Sequence, residues 1–282
     1  MTTIAREYAR LRNVVFVITV LAWLVLLWPA PAAMGAVRAG GPASVSWCGT
    51  AMPLLVAQSA GPGRAGAGLR PGPAPVQAWG LTWAWMGAWA LMLVAMMLPT
   101  LVKPFFHIHL SSFSRRRTRA TALFVAGYGA VWLAAGGGLW ALVLAVRSSG
   151  VPASLLAAGA GLGALVWQAS PLKQRCLNRC HRHRPLAAFG ARADWDALRM
   201  GLTHGGWCTG SCWVAMLLPL LLGHGHLWAM AAVSLLVFCE RLDPPRTPAW
   251  RWRGFETACG CVRLYLWGPR HSPPPASMLI QA

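Results

Sequence analysis

ALFVAGYGAVWLAAGGGLWALVLAV, residues 122–146, runs for 25 residues without a charged side chain. About 20 apolar residues in a helix cross the hydrocarbon layer of a bilayer. A helix is the form such a run must take there, because it satisfies its own backbone N–H and C=O groups where no water reaches them. Five further apolar runs lie near residues 14–30, 80–102, 151–169, 204–223 and 225–240, and with the run near 120–146 they give six candidate spans. Only 11% of the chain is charged and 56% is apolar, against roughly a quarter charged for a soluble domain. The expected fold is an all-α polytopic transmembrane helix bundle of about six spans.

The charge of +19 could point to nucleic acid, but its placement argues for topology. Alternate segments outside the spans carry 3, 5, 7 and 6 Lys and Arg, against 3, 1 and 0 in the others. This is the positive-inside asymmetry. It places both termini and the two basic loops in the cytoplasm, with the lipid bilayer as partner and no nucleic acid. The basic arm, first apolar run and PAPAAMGA (29–36) resemble a signal peptide, but the long run favours an uncleaved anchor.

The chain divides into an anchor span (1–30), a Gly/Pro-rich outer loop (31–79), a transmembrane domain (80–243) and a basic, Pro-rich cytoplasmic tail (244–282). Pro99 is expected to kink or end the second span. SPLKQRCLNRCHRHRPL (170–186) should form a short interfacial helix, and Gly159 and Gly163 form a GxxxG pair that allows close helix contact.

No acidic residue lies deep in a span, which removes the carboxylate relay of an ion-coupled transporter. GxxxxGK, GxSxG and HExxH are all absent, so nothing argues for an enzyme. Sulfur and imidazole remain. Cys176 and Cys180 are four residues apart, as are Cys208 and Cys212, with His204 a turn before and Met216 a turn after. Steps of four make one slowly turning stripe on a helix. Thiolates and thioethers select Cu(I), with Zn the second candidate.

Cys176, Cys180, Cys208 and Cys212 are therefore candidate thiolate ligands, His204 a ligand or its support, and Met92 and Met96 weak ligands. Glu240 and Met97 would support the site from behind. A single membrane cysteine is as well explained by packing, and packing is the stronger reading of the methionines. His181 and His183 are expected to be solvated or to face head groups. His224 and His226 fall on the outer turn, where they bind a separate metal or sit at the interface. Cys48 looks incidental, and Cys259/Cys261 give a weak metal signal. Two other classes stay open: a thiol-disulfide redox membrane protein, and a structural subunit without chemistry of its own. The reducing cytoplasm and CxxxC spacing count against the redox class.

Three blocks carry a family resemblance: WAWMGAWALMLVAMMLP, WQASPLKQRCLNRC, and LRMGLTHGGWCTGSCWVAML with Glu240–Arg241 after the next turn. The chain resembles a bacterial family of predicted metal-binding integral membrane proteins, otherwise a domain of unknown function, some of whose members are labelled copper chaperones. The resemblance covers roughly residues 80–243. Its matching positions are Met92, Met96, Met97, Pro99, Gln168, Pro171, Lys173, Cys176, Cys180, His204, Cys208, Cys212 and Glu240. It implies a helical membrane protein with a metal site that handles or delivers the ion, and hence a copper-donor or copper-acceptor protein as partner. Three departures stand out: Ser211 replaces one of two adjacent cysteines, the turn reads GHGHL, and CHRHRP adds histidines.

Overall fold

The computed structural model describes residues 3–28, 75–187, 189–222, 225–254, 256, 259 and 260. Cys48, His224, Cys261, PAPAAMGA and most of the outer loop and tail lie outside the described residues. The helices are α1 (Thr3–Leu27), α2 (Pro75–Met97), α3 (Val102–Ser111), α4 (Arg117–Ser148), α5 (Ala153–Ala169), α6 (Pro171–Cys180), α7 (Gly190–Leu221) and α8 (His226–Leu242). Among the described residues there is no strand.

Local chemistry sets the breaks. Pro99 falls in a 3-10 turn, Leu98–Leu101, that ends α2, because proline cannot donate to the helix ladder. Ser170 caps α6, its Oγ accepting from the backbone N–H of Leu172 at 3.1 Å and of Lys173 at 3.5 Å. Pro171 follows at the first helical position, where its missing N–H costs nothing.

Among the described residues, length and composition alone qualify three segments to cross a membrane: Thr3–Leu27, Met86–Ser111 and Ser114–Ser148. Ser154–Ala169 and Pro171–Cys180 qualify together as a fourth, bent by 65°. α7 begins at Gly190, well before the apolar run expected from 204, and its His, Gly, Thr and Ser side chains keep it off that set. α8 is 17 residues long.

α7 is the hub, packed against α4, α5, α6 and α8, with α4 its principal neighbour. Glycines let α4 and α7 touch backbone to backbone. A Cβ on Gly127 would meet Leu198 O at 2.6 Å, and one on Gly201 would collide with Phe124 O. At the far end Arg147 donates to Leu220 O and Leu221 O, each at 3.5 Å. The helices therefore run parallel over 20 residues of each, 127 to 147 and 201 to 221, or about 30 Å at 1.5 Å per residue. The expected GxxxG contact is corrected: Gly159 faces open space and Gly163 meets only Val214 Cγ1 at 4.0 Å.

The N-terminal side is held by indoles that find acceptors inside the core. Trp23 Nε1 donates to Ala95 O and Trp89 Nε1 to Trp132 O, each at 3.0 Å. Such bonds let a large amphipathic ring be buried without an orphan donor.

Candidate functional site

The buried face of α7 carries His204, Cys208, Cys212 and Met216 in one stripe. Cys212 Sγ donates to Cys208 O at 3.0 Å, and Ser211 Oγ donates to the same carbonyl at 2.7 Å. Tyr128 from α4 brings its hydroxyl to 3.3 Å from Cys208 Sγ. Arg241 from α8 donates from Nη2 to Cys208 Sγ at 3.1 Å. The same guanidinium hydrogen-bonds the Cys180 thiol at the end of α6, and its charge also acts on Cys212. Two helices, α6 and α7, thus bring three sulfurs around one arginine from α8.

That arrangement poses a charge problem. Arg241 is half-buried, with its Nε out of solvent, and a cation held away from water is costly unless an opposite charge faces it. Glu240, next to Arg241 in the chain, is turned elsewhere: it accepts from Lys173 Nζ at 2.6 Å and from Gln168 Nε2. Lys173 Nζ also donates to Gln168 Oε1. Both charged side chains of that pair are almost fully buried. The compensating groups left to Arg241 are sulfurs. Glu240 acts as an anchor for α8 at its junction with α6, and so fixes where Arg241 points.

The α6 cysteine pair is split. Cys180 faces Arg241, while Cys176 is half-buried, with its Sγ 3.0 Å from where a Gly210 Cβ would sit. Cys176 lines a separate cavity of about 560 Å³ with Trp167, Arg179, Trp207 and Trp213. Met92, Met96 and Met97 are buried in the core cluster that also holds Cys180, Cys208 and Cys212. Among the described residues, no three His, Cys, Asp or Glu side chains form a group that could hold a metal ion. His226 is far from this chemistry in role, its Nδ1 donating to Pro219 O at 2.6 Å across the α7–α8 turn. Cys259 is exposed.

The donor set fits a soft monovalent ion better than a tetrahedral one. Zn(II) needs four converging ligands in a structural site. Cu(I) is satisfied by two thiolates, and soft sulfur selects it. Two thiolates and Cu(I) carry a net charge of −1, which one guanidinium neutralises.

A file of imidazoles leads toward the sulfurs. His107 and His183 have ring centroids 5.1 Å apart, and His183 stacks on His204 at 6.3 Å. His204 is 6% exposed and lies 6.0 Å from the Phe124 ring and 6.1 Å from Tyr128. The Nε2 atoms of His181, His183 and His204 are buried and lack a hydrogen-bond partner. His181 is lowered to about 4, by burial first and then by the Arg241, Lys103, Arg253 and His183 charges. His183 is also lowered to about 4, by burial and then by His107 and Lys103. Both rings are neutral at pH 7 and keep a lone pair free. The expected solvated histidines are thus half-buried ones.

Residues after α8 close over α6. Gln174 Nε2 donates to Ala249 O at 2.6 Å and Arg251 O at 2.7 Å, and Asn178 Nδ2 donates to Arg246 O at 2.6 Å. Gly254 takes φ +118°, and its N–H donates to Asp243 Oδ2 at 2.8 Å.

Sequence reasoning missed Arg241, Tyr128, His107 and the role of His183. Only Arg241 left a signal, standing beside Glu240 in the third block. No curated protein and no solved structure matches the chain. A family model described as PpoB2, copper chaperone, matches residues 86–263. That stretch contains every sulfur around Arg241 and the whole histidine file, and the chain belongs to the PpoB2 family of copper chaperones.

Proposed function

We propose that this protein binds Cu(I) through thiolates drawn from Cys180, Cys208 and Cys212 and hands it to or takes it from a partner protein. The observation that carries this reading is the convergence of those cysteines on Arg241. A cationic guanidinium among sulfurs matches an anionic copper–dithiolate and would be out of place among neutral packing thiols. His204 stands one turn before Cys208 with a buried, unpartnered nitrogen, placed to receive or pass the ion. Met92 and Met96 act as packing residues and as weak thioether ligands next in line.

The protein sits in the bacterial inner membrane with six spans and both termini in the cytoplasm. The positive-inside charge pattern supports this, and so does the parallel course of α4 and α7. Copper handling then takes place near the cytoplasmic leaflet.

The test is metal content. The protein is purified in detergent under reducing conditions, challenged with Cu(I), and its Cu and Zn are measured by mass spectrometry. Near one copper per chain is expected, falling to background in Cys180→Ser/Cys208→Ser and unchanged in Cys176→Ser. Folded protein without copper overturns the reading, and disulfide exchange at these cysteines would then favour the redox class. Copper retained in Cys180→Ser/Cys208→Ser sinks the assignment of ligands.

A further inference from the structure

Among the described residues, a polar, open cavity lies beside the thiol stripe of α7. A cavity of about 330 Å³ lies over His183 and His204 and is walled by Arg179, Arg182 and Arg184. Arg179 is held in place, its guanidinium 5.0 Å from the centroid of the Trp207 ring. Arg182 and Arg184 are exposed. Nearby carboxylates on α7 are engaged elsewhere. Asp194 pairs with Arg116 at 2.6 Å and Arg119 at 2.7 Å, and Asp196 Oδ2 accepts from Ala187 N–H at 3.1 Å. The floor of the cavity holds His204, nine-tenths buried, with Nε2 unpartnered.

This combination is contradictory for a free metal cation. Three guanidiniums at the mouth repel a positive ion, while the floor offers it neutral nitrogen lone pairs and, a turn deeper, thiols. The contradiction disappears if the copper arrives already carrying negative charge. We infer that the vestibule formed by Arg179, Arg182 and Arg184 over His183 and His204 admits copper as a small anionic Cu(I)–thiolate complex, and excludes the bare ion. This inference rests on the copper reading above and names the chemical form of its cargo.

The exchange balances without a redox step. Copper stays Cu(I) throughout. The His204 Nε2 lone pair forms a Cu–N bond as one carrier Cu–S bond breaks, and that thiolate leaves with both bonding electrons. Cys208 then displaces the second carrier thiolate, and a second protein thiolate, from Cys180 or Cys212, displaces the His204 nitrogen, whose lone pair returns to the ring. The protons of the protein thiols go to the two departing thiolates, so two carrier thiols leave and one copper–dithiolate remains opposite Arg241. The guanidinium rim holds the incoming anion and releases a neutral or less charged product.

The experiment uses two carriers of nearly equal size and opposite charge. Cu(I) is supplied as its mercaptoacetate complex, which is anionic, or as its cysteamine complex, which is cationic. Copper transfer to the intact protein in detergent is followed by stopped flow at low and high salt. Transfer from mercaptoacetate is expected to be at least about tenfold faster at low salt, and the preference should shrink at high salt, as for electrostatic steering. Arg182→Gln/Arg184→Gln should lose most of the preference. Arg10→Gln/Arg12→Gln removes the same charge from the N-terminal arm and should keep it. Equal rates from the two carriers, a preference indifferent to salt, or the same loss in both variants would overturn the vestibule. Final copper content is read in the same runs: if it is near one per chain while the preference is absent, the vestibule fails and the thiol centre stands; if it is zero from both carriers, the copper reading itself fails.

Discussion

His183 shows how one residue can carry two signals. Its ring stacks on His204 and faces His107 and Lys103 from α3. Burial and those neighbours lower it to about 4, below an ordinary value near 6.5. A folded-state value below the unfolded one means the fold favours the neutral ring. That contribution is complete above about pH 6.5 and is lost as pH falls toward 4. The thermal midpoint in detergent should therefore drop between pH 6.5 and 4, and His183→Gln should flatten part of that drop. Part remains because His181 is lowered to about 4 beside it. An unchanged slope in His183→Gln would show that the ring is solvated. The sequence placed both histidines among arginines, where solvation was the natural expectation; only the fold turns them inward. Arg241 was hidden for a similar reason. In a chain with 25 Lys and Arg, one more basic residue at a helix end reads as topology. Its burial among sulfurs depends on α6, α7 and α8 meeting.

At the scale of helices, hydrophobic length was the readable quantity and contact partners were not. Over their described residues the apolar runs near 14–30 and 120–146 fall on α1 and α4, the run near 80–102 falls on α2 and the turn that ends it, and Pro99 and Ser170–Pro171 mark breaks. Gly159 and Gly163 carry the GxxxG spacing, yet the close crossing is built by Gly127 and Gly201, with two whole helices, α5 and α6, between them in the chain and no local motif linking them. Spacing identifies which glycines could share a face; it says nothing of whether another backbone arrives there. Gly201→Ala should force the α4 and α7 backbones apart at Phe124 O, costing roughly 1–3 kcal/mol as overpacking does. Gly159→Ala, into open space on a helix, should be neutral or stabilising by about 0.4–1 kcal/mol. Thermal melts of the two variants in one detergent give the comparison. Equal effects would mean that the α4–α7 crossing is not the tight one. The same crossing orients the candidate site, because Tyr128 and Cys208 meet only when α4 and α7 lie this close.

For the whole molecule the open quantity is how many times the chain crosses. Among the described residues, length and composition suit three helices to crossing, or four with the bent α5–α6 pair. α7 stands outside that set because His204, Gly205, Gly206, Thr209, Gly210 and Ser211 lower the hydropathy of its middle. Packing gives a different argument. α4 qualifies as a span, and α7 runs parallel to it for about 30 Å, which is the thickness of the hydrocarbon layer. In the six-span arrangement proposed above, a helix held beside α4 over that distance crosses with it. In that arrangement α8 returns the chain, and Trp228, 83% exposed in its first turn, would lie on the outer side. In a four-span arrangement the same residue would stay with the cytoplasmic loops. With six spans or with four the two termini fall on the same side, so the α7–α8 turn is the position that discriminates. Trp228→Cys in a Cys48→Ser background can be treated with a membrane-impermeant maleimide on intact spheroplasts, with the background protein as baseline. Labelling above baseline without permeabilisation is the six-span outcome. Labelling that needs permeabilisation would remove α7 and α8 from the membrane, and with them the placement of Cys208, Cys212 and Arg241 at the level of the inner leaflet.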